Sequence, residues 1–121
     1  MKTTIIFFVT LSIMMSAAVV YATFSSPVPV QIDTNYKVAA PSISTDDLTL
    51  FYYQDIGGQY DIYYSTRIDR NSSFNAPIPL TILNTDQMEV GPDISSDGLS
   101  LYFARGDEWE NDIFICTINA G

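Results

Sequence analysis

Pro41-Ser-Ile-Ser-Thr-Asp-Asp-Leu-Thr-Leu-Phe-Tyr-Tyr53 aligns without a gap on Pro92-Asp-Ile-Ser-Ser-Asp-Gly-Leu-Ser-Leu-Tyr-Phe-Ala104, and Asp61-Ile-Tyr-Tyr-Ser-Thr66 on Asp112-Ile-Phe-Ile-Cys-Thr117, both at an offset of 51. Self-similarity at one fixed period marks a repeat architecture. A further match joins Phe24-Ser-Ser-Pro-Val-Pro-Val30 to Phe74-Asn-Ala-Pro-Ile-Pro-Leu80 at an offset of 50, so one residue is lost in the loop that follows. The chain thus holds the end of one repeat over 24–40, a complete repeat over 41–91 and a partial one over 92–121.

Each repeat reads as short strands separated by turns. Strands are expected over 41–44, 48–53, 61–66 and 77–83. Thr45-Asp46-Asp47 turns the chain between the first two, and Gly57-Gly58 lies in the loop 54–60 before the third. The second copy has Gly98 where the first has Asp47. Gly adopts positive φ freely and Asp tolerates it less well, so both turns are read as one hairpin geometry. The strand 48–53 decides the architecture. Leu48, Leu50 and Tyr52 alternate with Thr49, Phe51 and Tyr53, so both faces are largely apolar. A sheet with one wet face would alternate apolar with polar instead. Small antiparallel sheets covered on both faces by copies of themselves are the blades of a β-propeller, and the expectation is all-β, about two four-stranded blades of an incomplete propeller. A β-sandwich is the competing architecture, and it leaves an ungapped repeat of 51 unexplained.

The run Pro-Ser/Asp-Ile-Ser-x-Asp-Gly/Asp-Leu-x-Leu-Tyr/Phe, followed by Gly-Gly-x-Tyr-Asp-Ile-Tyr, resembles the Pro-Asp propeller repeat of TolB-type, WD-like β-propellers over about Phe24 to Gly121. Asp47 departs from the usual turn Gly, and the second copy's loop 106–111 lacks the double Gly. The resemblance implies an exported or periplasmic scaffold that binds proteins or other ligands. The competing function is a fragment of a longer propeller enzyme or envelope protein, of hydrolase type, whose catalytic part lies elsewhere. A propeller needs about four to eight blades. Sister chains or another protein partner are therefore expected to complete it.

The first 22 residues differ from the rest: Met1-Lys2 precede an apolar run from Ile5 to Val20, and Val20-Tyr21-Ala22 fits signal-peptide cleavage after Ala22. An uncleaved membrane anchor is the alternative, since the run is near the short end of what spans a bilayer. Cleavage predicts export to the periplasm or the extracellular space, with no membrane association afterwards. The lone Cys116 forms no intrachain disulfide and is silent on redox compartment. Removing Lys2 leaves 4 basic against 14 acidic residues, a formal charge of −10. Nucleic acid and anionic lipid both require Lys/Arg clusters, so neither is expected as a partner.

The chain has no His. Ser-His-Asp and Cys-His catalysis are thereby excluded, as is the commonest ligand of transition metals. Cys116 aligns with Ser65 within a strand and is read as a packing residue. Ser96-Asp97-Gly98 is similar to the Asp box of sialidase propellers, but its Asp–Gly spacing is wrong and no Trp follows. The acid pairs Asp46-Asp47 and Asp107-Glu108 are read as solvated turn residues before glycosidase carboxylates. No catalytic residue and no firm cofactor is assigned.

The repeat sorts the loops onto two rims. One gathers Asp55, Asp86, Glu89, Asp107, Glu108 and Glu110, with Asp61 and Asp112 at its edge. Carboxylates suit hard cations and Lys/Arg patches, so this rim is the candidate site for Ca²⁺ or for a basic partner surface. A merely solubilising loop face is the bland alternative. Trp109 lies among these acids and is either an interface anchor or a side chain folded back over the blade edge.

Overall fold

A computed structural model describes residues 23–118 of the chain. The expected leader at 1–22 lies outside them. The described part is all-β, with no helix and therefore none long and apolar enough to cross a membrane. Seven strands follow in order: β1 (Lys37–Ile43), β2 (Thr49–Ile56), β3 (Gln59–Thr66), β4 (Ile78–Pro79), β5 (Met88–Ile94), β6 (Ser100–Gly106) and β7 (Asn111–Thr117). They form two antiparallel sheets, β1-β2-β3-β4 and β5-β6-β7. The sheets do not close on each other, as expected of incomplete blades.

The repeat seen in the sequence recurs in the backbone. Asp46 Oδ1 accepts from the Ser44 hydroxyl at 2.6 Å and from Leu48 N at 2.9 Å; Asp97 Oδ1 accepts from Ser95 at 2.6 Å and from Leu99 N at 3.0 Å. Asp47 and Gly98 both take positive φ, 65° and 73°. The β1–β2 and β5–β6 pairings each slip by a bulge, between Ala39 and Ser42 and between Val90 and Asp93. Inside the bulges, Ala40 at φ 51° and Gly91 at φ 61° occupy equivalent left-handed positions.

Register and period 2 explain the packing, because residues paired across two strands share a face. Phe51 pairs Tyr64 and Tyr53 pairs Ile62, which sends these four toward the second sheet. Leu101 pairs Cys116 and Phe103 pairs Phe114. The main core, Phe51, Ile62, Leu83, Leu101 and Phe103, fills the space between the sheets. β5 runs against β1, β2 and β3, and equivalent residues touch: the Thr45 hydroxyl donates to Ser96 O at 2.6 Å and the Ser42 hydroxyl to Asp93 Oδ1 at 3.1 Å. The outer face of the first sheet carries a second core of Leu50, Tyr52 and Phe74, partly covered by Ile32.

Several boundaries differ from the expectation. β1 begins at Lys37, before Pro41, because the bulge lets a strand pass through a proline position. β2 and β3 run on until only Gly57-Gly58 separates their turn, at φ 67° and 94°. The strand expected over 77–83 is ladder only at Ile78–Pro79, since Leu83 N and Asn84 N both turn back to Leu80 O. Residues 24–30 form no strand and are exposed.

Candidate functional site

Tyr53 and Tyr60 meet edge to face, 5.5 Å between ring centroids, where β2 and β3 approach their turn. On one side of this pair lies a cleft of about 230 Å³ between the sheets, lined by Tyr53, Tyr60, Met88, Val90, Asp107, Glu108 and Asn111. On the other side a second cleft is lined by Lys37, Val38, Ala39, Asp55 and the same two tyrosines. Sequence reasoning placed the acids on this rim and missed the aromatic pair. The signal was present: Tyr60 sits across from Asp55, two residues beyond Tyr53 on one strand face.

The acids divide by what they bond. Asp107 Oδ1 accepts from Trp109 N at 2.8 Å and Glu110 N at 2.9 Å. These two backbone bonds hold the Asp107 carboxyl below the ordinary carboxylate range. Asn111 Nδ2 ties the loop back to Asp107 O at 2.9 Å, and Asp107 N reaches Glu110 O at 3.1 Å. The loop is therefore fixed by its own groups while Glu108, Trp109 and Glu110 remain exposed. Trp109 is 90% exposed, so it does not fold back over the blade edge. Asp55 is half-buried and accepts from Gly58 N at 2.8 Å, closing the β2–β3 turn. Asp86 is exposed on the loop before β5.

Glu89 does not belong with them. Its carboxylate is fully buried and takes hydrogen bonds from Arg105 Nε at 2.8 Å, Thr85 N at 3.0 Å and the Thr85 hydroxyl. Arg105 in turn donates to Leu83 O and lies over the Phe114 ring, 4.7 Å from its centroid. An Arg directly across the ladder from Glu89 was the signal that this acid points inward. Asp61 accepts from Gln59 Nε2 at 3.0 Å at the rim edge.

Among the described residues no three acidic, cysteine or histidine side chains converge on a point that could hold a metal ion. The turn acids of the opposite rim are absorbed by structure. Asp46 and Asp97 cap their hairpins, and the Ser hydroxyl that each receives is the main cause holding its carboxyl below the ordinary range. What remains on the first rim is two tyrosines, an exposed tryptophan on a self-braced loop, and carboxylates. That combination offers π faces and negative charge to a cation. No protein-family model matches the chain, and a search of curated proteins finds none similar to it.

Proposed function

We propose that this chain is a non-catalytic, exported recognition module whose two sheets are neighbouring propeller-type blades, and that the Tyr53–Tyr60–Trp109 rim receives the Lys/Arg side chains of a protein partner. The observation that carries the reading is Trp109, 90% exposed on a loop clamped by the Asp107 carboxylate and flanked by Glu108 and Glu110. A large apolar ring held in water on a pre-organised loop contributes nothing to folding, and aromatic side chains of this kind are enriched at the centres of interfaces. Cation–π contacts and carboxylate pairing both favour a cationic partner, and the formal charge of −9 for the full chain adds long-range attraction. The blade reading is supported by the repeat, by the core shared between the two sheets and by the hydrogen bond between equivalent turns. A Ca²⁺ site is the weaker reading of the same rim, because no three acids converge among the described residues.

Trp109 is the only tryptophan, so its fluorescence reports on the rim directly. Titration with an oligolysine peptide is expected to give a saturable change that weakens in 0.5 M salt and in Glu108→Gln/Glu110→Gln. An oligoglutamate of equal length is expected to give none. Equal responses to the two peptides, or no response to either, would overturn the reading.

A further inference from the structure

Positions equivalent in the two repeats differ in burial, and the difference follows one face. Ile62 is 0% exposed while Ile113, its equivalent, is 74% exposed; Phe51 is 9% exposed while Tyr102 is 45% exposed. Tyr64 packs against the main core, yet Ile115 at the same place on β7 is exposed. In the first sheet this face is covered by the second sheet. In the second sheet the same face, Tyr102 with Ile113 and Ile115, has no cover among the described residues. The β7 edge beyond it pairs with no strand there, whereas β3 pairs β4 through Tyr63–Pro79 and Tyr64–Ile78. A seven-residue unpaired edge beside an apolar face is a template for strand addition.

The chain carries both missing pieces. Ile32 sits on Leu50 and Tyr52 as Leu83 sits on Leu101 and Phe103, the same step of 51. Thr34 Oγ1 accepts from Tyr36 N at 3.2 Å as Thr85 Oγ1 accepts from Gln87 N at 3.2 Å. Residues 32–36 are thus already placed as the link that enters a sheet after leaving the outer strand of the preceding one. The residues just before them, Phe24 to Val30, match Phe74 to Leu80, which contains β4, and they are exposed, Val28 by 82%. They cannot reach β7 of their own chain. Ile32 lies on the outer side of the first sheet, the four residues back to Val28 span at most about 14 Å, and sheets stack about 10 Å apart with strands about 4.8 Å apart, so any path around the first sheet is longer.

We infer that a second copy of this chain covers the open face: its outer β1–β4 face seats on Tyr102, Ile113 and Ile115, and its Phe24–Val30 segment adds to β7 as the missing fourth strand. The intrachain junction already shows one such face seated on the other with the linker in place, and a second copy presents that same face and linker. This rests on the blade reading above and adds its register: Val28 opposite Ile115 and Pro29 opposite Phe114, from Ile78 opposite Tyr64 and Pro79 opposite Tyr63. The contact is head to tail, so it propagates until a ring closes.

Cysteine trapping tests the register on the exported full chain. In a Cys116→Ser background, where Ser is the first repeat's residue, a Val28→Cys chain is mixed with an Ile115→Cys chain and oxidised. Both sites are exposed, so neither change threatens folding. The expected product is a disulfide-linked pair of chains, formed at least tenfold faster than with Ile113→Cys, since a diagonal neighbour lies beyond disulfide reach. Equal rates at the two positions, no linked pair, or linkage only within one chain when both cysteines share it, would each overturn the inference. A chain that fails this test yet still answers oligolysine at Trp109 loses the assembly alone. One that assembles but ignores the peptide loses the recognition reading alone.

Discussion

Replacing Arg105 strands a buried charge, and the repeat supplies the rescue. Glu89 is fully buried and its Arg105 partner only 20% exposed, with 2.8 Å between Nε and Oε1. In Arg105→Gln the Glu89 carboxylate keeps only the Thr85 N and hydroxyl bonds, and breaking a buried pair in this way is worth about 3–5 kcal/mol. In Glu89→Val, Arg105 retains the Leu83 carbonyl and the Phe114 ring, so a smaller loss of about 1–2 kcal/mol is expected. The first repeat holds Val38 and Gln54 at these positions, with the Thr34 hydroxyl donating to Gln54 Oε1 at 3.1 Å. Thr85 stands where Thr34 does, so the double variant Glu89→Val/Arg105→Gln rebuilds that chemistry and should fall within about 1 kcal/mol of the parent. The coupling then exceeds about 2 kcal/mol in the favourable direction. Urea unfolding at one fixed protein concentration, followed by circular dichroism and Trp109 fluorescence, measures it. Penalties that add to within about 0.5 kcal/mol would refute the equivalence of the two sites.

Ala40→Gly should stabilise the chain by about 1 kcal/mol, and Gly91→Ala should destabilise it by a similar amount, because both positions hold left-handed backbone in matching bulges; thermal melts decide the signs. Asp47→Gly relieves the same conformation at the first hairpin and gives up only an exposed pair with Arg70 at 3.0 Å, so a small net gain is expected by the same assay. A methyl group at Gly106 would overlap the Glu110 carbonyl oxygen, so Gly106→Ala should displace the rim loop and weaken oligolysine binding without touching Trp109. The Asp107 carboxyl is held below its ordinary value of 3.8, so its clamp is fully formed above that pH and is lost as pH falls through the lower value. With the neighbouring carboxylates removed in Glu108→Gln/Glu110→Gln, Trp109 fluorescence should accordingly be flat from neutral pH down to about 4 and change only below it; a transition between about pH 4 and 6 in that variant would contradict this.

The strand patterns and the period of 51 were legible because they rest on residues whose local preferences agree with their tertiary roles. Leu50, Phe51 and Tyr52 announced a sheet apolar on both faces, and both faces are packed. The start of β1 was not legible because Pro41 reads as a boundary, although the glycine before Pro92 marked the bulge in the second copy. Glu89 was read as a rim ligand because a charged residue near a loop is ordinarily solvated; only the cross-ladder Arg105 reveals it as buried. Phe24 to Val30 match the residues around β4, but a strand exists only where an edge receives it, and they meet none among the described residues. The tyrosine pair needed the β2–β3 register, which depends on a two-residue turn that composition left as a longer loop.

If equivalent faces of the two repeats are made to stack, another molecule covers the face of Tyr102, Ile113 and Ile115 left exposed in the second sheet. The mass of the chain in solution, measured by light scattering across a range of concentrations, tests this pairing. An assembly of about two to four chains is expected, the number that supplies four to eight blades. A monomer that unfolds cooperatively and stays monomeric at the highest concentration would contradict it.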